Sequence, residues 1–357
     1  MAVTSTSAPS KDKLLLLLSG KPRPEWIPRI ESKFPKLEVC WVDADPGNTG
    51  PSKEAEVWQG VTILVTYRPP PAELMSSVRF VQLVSAGADM WAQHEVYKDE
   101  KVIFCTANGC HPPQIAEWVI GAWLSFQHHF ARYAANMQKG HWEAPYESTV
   151  QDSTECRMGI LGYGAIGRQC ARVANAMGME IYAYTRSERV TAAQRKDDSY
   201  CVPGTGDPDG LLPTKWFHGA SKESINAFLG QDLDILVVCA PLTTETRGII
   251  SREQFEILSK KKTFLANVGR GPHIDQEALI EALETGKIRG AALDVTDPEP
   301  LPSEHPLWKA PNLLITPHVS WQTTNVYARI MDILETNLER LDKGEKPINM
   351  VNRELHY

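Results

Sequence analysis

The chain has 357 residues and a net charge of −7, with 42% hydrophobic and 23% charged residues. That length exceeds what one hydrophobic core usually supports, so two domains with a cleft between them are expected, and the acidic balance argues against a nucleic-acid or anionic-membrane partner. Seven cysteines, at 40, 105, 110, 156, 170, 201 and 239, include no CxxC pair and are odd in number, which points to a reducing, cytoplasmic setting.

Residues 1–12, rich in Ser, Thr and Ala with Lys11 as their one basic residue, read as a frayed tail. The run Leu14–Leu18 is too short for a membrane span or a signal core and reads as a buried first strand. Further strands are expected at Leu37–Val42, Val61–Thr66, Phe80–Val84 and Val102–Cys105, alternating with amphipathic stretches as in a parallel sheet covered by helices. Pro112-Pro113 opens a helical pattern through Ile115, Trp118, Val119, Trp123 and Phe126 towards Gly140, which reads as a connector. The alternation then restarts, with strands at Arg157–Leu161, Glu180–Thr185, Asp234–Cys239, Thr263–Asn267, Gly290–Val295 and Asn312–Ile315. A final helix, about Thr323 to Lys343, is long enough to return to the first domain. The polar, Gly/Pro-rich stretch from Ser187 to Ser221 reads as an insertion decorating the surface.

Within the second unit, the strand Met158–Leu161 runs into Gly162-Tyr163-Gly164-Ala165-Ile166-Gly167 and a helical stretch follows, the context a dinucleotide site requires. Gly162 permits the tight turn, Gly164 lets the backbone approach a pyrophosphate, and Gly167 lets helix and strand pack closely. The pyrophosphate would lie on the helix N-terminus beside Ala165 and Ile166, where free N–H groups favour an anion. A carboxylate usually ends the next strand and takes the ribose hydroxyls; here that strand ends in Thr185-Arg186-Ser187, with Arg189 behind. Arginine and hydroxyl groups suit a 2′-phosphate, so NADP is the expected cofactor, with NAD possible.

Three later segments place an arginine, a glutamate and a histidine at carboxyl ends of expected strands, the edge on which open parallel sheets bind ligands. They are Asn267-Val268-Gly269-Arg270-Gly271, Asp294-Val295-Thr296-Asp297-Pro298-Glu299-Pro300 and Thr316-Pro317-His318. Reducing a 2-oxo acid by hydride transfer needs a cation to hold and polarise the acid, a proton donor for the developing alkoxide, and a group that keeps the donor protonated. Arg270, His318 and Glu299 supply these in turn. No metal site is expected.

From about residue 60 to 325 these motifs, with Pro241-Leu242-Thr243-Thr244-Glu245-Thr246-Arg247-Gly248, Asp275 and Ala291-Ala292-Leu293-Asp294-Val295, resemble the D-isomer-specific 2-hydroxyacid dehydrogenases. The resemblance implies two Rossmann-like or flavodoxin-like α/β domains, a nucleotide-binding domain (residues 123–323) being inserted into a discontinuous substrate-binding domain (1–122 and 324–357). It implies that Arg270 binds substrate, that His318 is the acid/base and Glu299 its support, and that Asp294 contacts the nicotinamide amide. Ala240, Pro241, Thr246 and Val268 complete the expected cofactor contacts. Ser85, Ala86, Gly87 and Ala88 resemble the family's substrate-carboxylate loop, and Tyr67 and Arg68 end a strand facing the same cleft. The expected activity is NAD(P)H-dependent reduction of a small 2-oxo acid, glyoxylate, hydroxypyruvate or a bulkier analogue, to the D-2-hydroxy acid by a homodimer paired through Trp118–Trp142. The rival reading is a dinucleotide-sensing, corepressor-like binding protein. Two departures from the family stand out: the missing acidic residue after the second strand, and the length of the 187–221 insertion.

Overall fold

A computed structural model describes residues 11–20, 22–44, 55–144 and 150–353. The chain divides into two units, Met1–Asn108 with Tyr327–Tyr357, and Gly109–Val326. Only the last two residues of the expected frayed tail, Lys11 and Asp12, lie within the described residues.

The first unit begins β1 (Asp12–Leu18), α1 (Trp26–Lys33), β2 (Leu37–Asp43), β3 (Val61–Thr66), β4 (Phe80–Leu83), α2 (Glu95–Lys98) and β5 (Ile103–Cys105). Its sheet is parallel throughout, in the order β2-β1-β3-β4-β5. The leucine run lies in β1 between two neighbours, and Leu14, Leu15 and Leu16 are fully buried; a strand covered on both faces needs an unbroken apolar run rather than alternation.

The second unit carries α3 (Pro112–Gln127), α4 (Phe130–Gln138), β6 (Arg157–Leu161), α5 (Ala165–Ala176), β7 (Glu180–Thr185), α6 (Ala192–Arg195), β8 (Lys215–His218), α7 (Lys222–Leu229), β9 (Ile235–Val238), α8 (Arg252–Ser259), β10 (Phe264–Asn267), α9 (Gln276–Glu284), β11 (Gly290–Leu293) and β12 (Leu313–Ile315). The seven parallel strands run β12-β11-β10-β9-β6-β7-β8. Chain direction across the sheet therefore reverses between β6 and β9, the crevice at which such sheets bind ligands. After β12 the chain returns to the first unit as α10 (Val326–Asp342), whose buried Asn337 donates to Gln82 Oε1 of β4 at 3.0 Å.

Three expectations differ from the structure. The first boundary falls at Asn108/Gly109 rather than 122/123, because all of α3 packs with the second unit: Trp123 is fully buried against Phe264, and Phe126 lies 5.0 Å from the same ring. Trp118, Trp123 and Phe126 are thus spent inside the chain. β8 was not expected, since this edge strand buries neither end and its apolar content is only Trp216 and Phe217. The insertion is also more than surface decoration: Asp207 in its middle is 6% exposed and bound to the core of the unit.

Candidate active site

The glycine loop leaves β6 at the reversal point. Gly162 has φ +104°, and a Cβ there would meet the Ala240 amide nitrogen at 2.6 Å, so the loop lies flat on the end of β9 only because it lacks a side chain. A Cβ on Gly167 would run into the Gly162 carbonyl and Ile160. By contrast, a Cβ on Gly164 would meet nothing within 4 Å, and Gly164 caps α5 with no side-chain hydrogen bond. The loop therefore presents open space and the unpaired first-turn amides of Ala165, Ile166 and Gly167 together. That cradle fits a dinucleotide pyrophosphate.

At the end of β7, Thr185 turns its hydroxyl onto the Ser187 carbonyl at 2.7 Å, and Arg186 and Ser187 are exposed. The nearby Glu245 carboxyl is held below the usual range, chiefly by a hydrogen bond from Thr243 and in smaller part by the Arg186 charge. Arg189 follows, its guanidinium donating to the Gln194 carbonyl and its own carbonyl accepting from Arg195 Nε at 3.0 Å. It belongs to the α6 cap. After β9, Thr246 donates to the Pro241 carbonyl at 2.8 Å, folding the Thr243–Thr246 turn back beside Ala240.

The catalytic candidates follow β10, β11 and β12. Asn267, fully buried, accepts from Gly269 N at 3.1 Å and donates to the Arg270 carbonyl at 2.9 Å, closing the turn that carries Arg270. Arg270 Nη1 donates to the Gly269 carbonyl at 2.8 Å. His273, also fully buried, sets its Nδ1 3.0 Å from Arg270 N and its Nε2 3.2 Å from the Pro241 carbonyl, joining the arginine turn to the loop after β9. Sequence reasoning did not single out His273 or Asn267. A Cβ on Gly271 would run into the Thr296 carbonyl, so this glycine lets the Arg270 turn pack on the loop bearing Glu299.

His318 Nδ1 lies 2.9 Å from Glu299 Oε2, and Glu299 Oε1 accepts from Thr296 N at 3.0 Å. Burial pushes the Glu299 carboxyl up, but the bonds from His318 and Thr296 with the His318 and Arg270 charges outweigh it, leaving a net lowering. With Nδ1 engaged, Nε2 is the imidazole nitrogen left to face a substrate. His318 adopts a left-handed backbone, φ +55°, uncommon for a residue other than glycine. Asp294 holds it there. One carboxylate oxygen accepts from Thr316 Oγ1 at 2.5 Å and Val319 N at 2.9 Å, the other from Ser320 N at 3.0 Å and from the Ser320 hydroxyl. At 1% exposure with four such bonds, the Asp294 carboxylate fixes the histidine loop at the end of β11, where the resemblance places the nicotinamide amide. Val268 is 7% exposed between these elements.

In the first unit, Ser85 donates to the Gly87 carbonyl at 2.6 Å and the Ala107 amide closes on the Ser85 carbonyl at 2.8 Å, giving a tight turn after β4. Ala86 and Gly87 are half-buried and Ala88 is buried, while Tyr67 and Arg68 are exposed after β3.

Among the described residues no group of three or more His, Cys, Asp or Glu could hold a metal ion, and no helix is long and apolar enough to cross a membrane. A glyoxylate/hydroxypyruvate reductase A of Enterobacter sp. (strain 638) is 29% identical over 341 residues, 94% of this chain and 96% of that protein. A D-isomer specific 2-hydroxyacid dehydrogenase from Xanthobacter autotrophicus Py2, solved with NADPH and MES, superposes with a TM-score of 0.74 at 25% identity, covering 97% of this chain and all of its own. An NADPH-dependent glyoxylate/hydroxypyruvate reductase from Sinorhizobium meliloti, solved with NADP and sulfate, gives 0.71 at 26% identity over 97% of this chain and all of its own. The family model for the NAD-binding domain of D-isomer specific 2-hydroxyacid dehydrogenases matches residues 120–203 and 212–320, more than half of the chain. With the glycine loop, Arg270, Glu299 and His318 all inside that match, the chain belongs to the D-isomer specific 2-hydroxyacid dehydrogenase family.

Proposed function

We propose that the chain reduces a small 2-oxo acid, of the glyoxylate or hydroxypyruvate class, to the D-2-hydroxy acid with NADPH preferred over NADH. The observation that carries this reading is the convergence of Arg270, Glu299 and His318 at the carboxyl ends of β10, β11 and β12, in the sheet whose reversal point holds the glycine loop. The reductase and NADPH complexes among its relatives agree with it.

The glycine loop and α5 N-terminus hold the dinucleotide, with Ala240, Pro241, Thr246 and Val268 along the neighbouring strand ends and Arg186 and Ser187 at the adenosine end. When bound, the reduced nicotinamide supplies the hydride. Arg270 sets a planar guanidinium against the substrate carboxylate and carbonyl, and the Ser85–Ala88 turn adds small residues suited to a carboxylate. His318 Nε2–H gives its proton to the C2 oxygen, while Glu299, held ionised, steadies the imidazolium through Nδ1. Asp294 keeps the histidine loop in its strained conformation.

The protein works in the cytoplasm as a homodimer that binds neither nucleic acid nor membrane. Support for pairing comes from α4 and the turn after it: no residue of α4 is buried, and Phe130, Met137 and Trp142 are 56%, 77% and 94% exposed. Sedimentation should give a species near twice the chain mass; a monomer at micromolar concentration refutes pairing. A panel of 2-oxo acids with NADPH and NADH tests the activity. Turnover fastest with NADPH and a small 2-oxo acid is expected, and tight dinucleotide binding without turnover on any of them would replace the reading with a sensing role.

A further inference from the structure

Tyr163, the residue between the first two glycines of the loop, turns inward and is 4% exposed. Its hydroxyl donates to Asp207 Oδ2 at 2.8 Å, and Asp207 also accepts from Leu211 N at 2.9 Å and Leu212 N at 3.2 Å. From the first turns of α5, Arg168 donates to the carbonyls of Asp207 and Arg195 and sets Nε 3.3 Å from Asp197, while Gln169 accepts from Gly206 N at 2.6 Å. Arg172 donates to the Gly206 carbonyl at 3.1 Å, and the Trp216 ring stacks edge-on at 5.0 Å from Tyr163. The stretch 187–221 is therefore fastened to the glycine loop and to α5 at separate points, through hydrogen bonds of Tyr163, Arg168, Gln169 and Arg172. Burial first, and the Asp207 carboxylate second, push the Tyr163 phenol well above its ordinary value, keeping it a donor. Ala165, the first residue of α5, lines the same pocket as Arg168, Tyr200 and Asp207. The family match runs to residue 203 and resumes at 212, so Gly206 and Asp207 lie between its two segments.

We infer that the segment around Asp207 is a brace that presets the glycine loop for the dinucleotide, with Asp207 as a positioning residue acting through Tyr163 and Arg168. The inference rests on the reading of the glycine loop as the cofactor cradle. Gly162 and Gly164 make the loop flexible as free chain, and ordering it on binding would cost affinity. A loop already fixed by Tyr163 meets that cost in the free protein, so the brace acts on cofactor affinity and not on the proton or hydride step.

The test is direct fluorescence titration of the full chain with NADPH, beside steady-state kinetics, for Asp207→Ala, Asp207→Asn, Tyr163→Phe and the double variant Tyr163→Phe/Asp207→Ala. The brace predicts that Kd for NADPH rises roughly tenfold in Tyr163→Phe and in Asp207→Ala. Asp207→Asn, which keeps an acceptor, should fall between them and the wild type. The double variant should be no weaker than the worse single, because both break one contact, and kcat at saturating cofactor should stay within about twofold. Asp209→Ala removes only a surface pair with Lys196, 3.6 Å away, and should leave Kd unchanged. Asp207→Ala also strips the acceptor from two backbone amides and can unfold the segment, so Tyr163→Phe decides alone: an unchanged Kd there overturns the brace, as does an equal loss in Asp209→Ala. The titration contains no 2-oxo acid. A wild-type chain that binds NADPH but reduces no 2-oxo acid refutes the reductase reading and leaves the brace standing, whereas one that binds neither dinucleotide refutes both.

Discussion

Glu299→Gln isolates the charge that supports the proton donor. The amide keeps an oxygen able to accept from His318 Nδ1, so the 2.9 Å geometry can survive while the negative charge is lost. A charge-assisted hydrogen bond contributes roughly 1.5–3 kcal/mol. The two side chains are 41% and 38% exposed, so solvent screening brings this to the lower end, about 1–1.5 kcal/mol, or about tenfold in rate. In the wild type the Glu299 carboxyl titrates below the ordinary glutamate value, so its ionised form is favoured in the folded protein. Its contribution is complete above the ordinary carboxylate range and is lost only as pH falls through the lowered value. Wild-type reduction should therefore show no acid loss where a free glutamate titrates. In Glu299→Gln, kcat should fall roughly tenfold near neutrality. The assay is NADPH oxidation across a pH series at saturating substrates, with NADPH Kd measured alongside. A profile superimposable on the wild type, or a loss matched by equal loss of NADPH affinity, would refute the reasoning.

Arg270→Lys keeps the charge but loses the fork, so kcat/KM for the 2-oxo acid should fall roughly ten- to a hundredfold with NADPH Kd little changed; equal weakening of NADPH in a titration would move Arg270 to the cofactor. Arg186→Ala should raise KM for NADPH roughly tenfold or more and leave NADH nearly unaffected, and an NADPH preference untouched by the change would place the ribose selection elsewhere.

Much of this architecture was legible from residue patterns. Eleven of the twelve strands among the described residues answer to short apolar runs, since strands inside a helix-covered parallel sheet must be largely apolar, and the site candidates could be placed at strand ends once those runs were fixed. What escaped the pattern was set by tertiary contact. β8 lies at a sheet edge with two apolar residues, too few to stand out from the surrounding polar stretch. The α3 boundary was misplaced because the aromatic face of Trp123 and Phe126 shows that the helix is buried, not which sheet buries it. Asp294, His273 and Asp207 are polar residues each with a partner distant in sequence, and no local signal states that a carboxylate will be bound by Thr316, Val319 and Ser320 or by Tyr163. The surroundings of Arg189 were hidden for a nearby reason. An arginine behind a strand end reads as a phosphate ligand, and nothing in the local pattern shows that it also donates to Gln194 beside a helix cap.

If His318 delivers the proton in a dinucleotide-dependent reduction, NADPH titration paired with turnover of a small 2-oxo acid in His318→Ala will separate binding from proton transfer. Loss of the general acid should lower kcat roughly 10²–10⁴-fold while NADPH binds as tightly as in the wild type. Near-normal turnover in that variant would contradict the account.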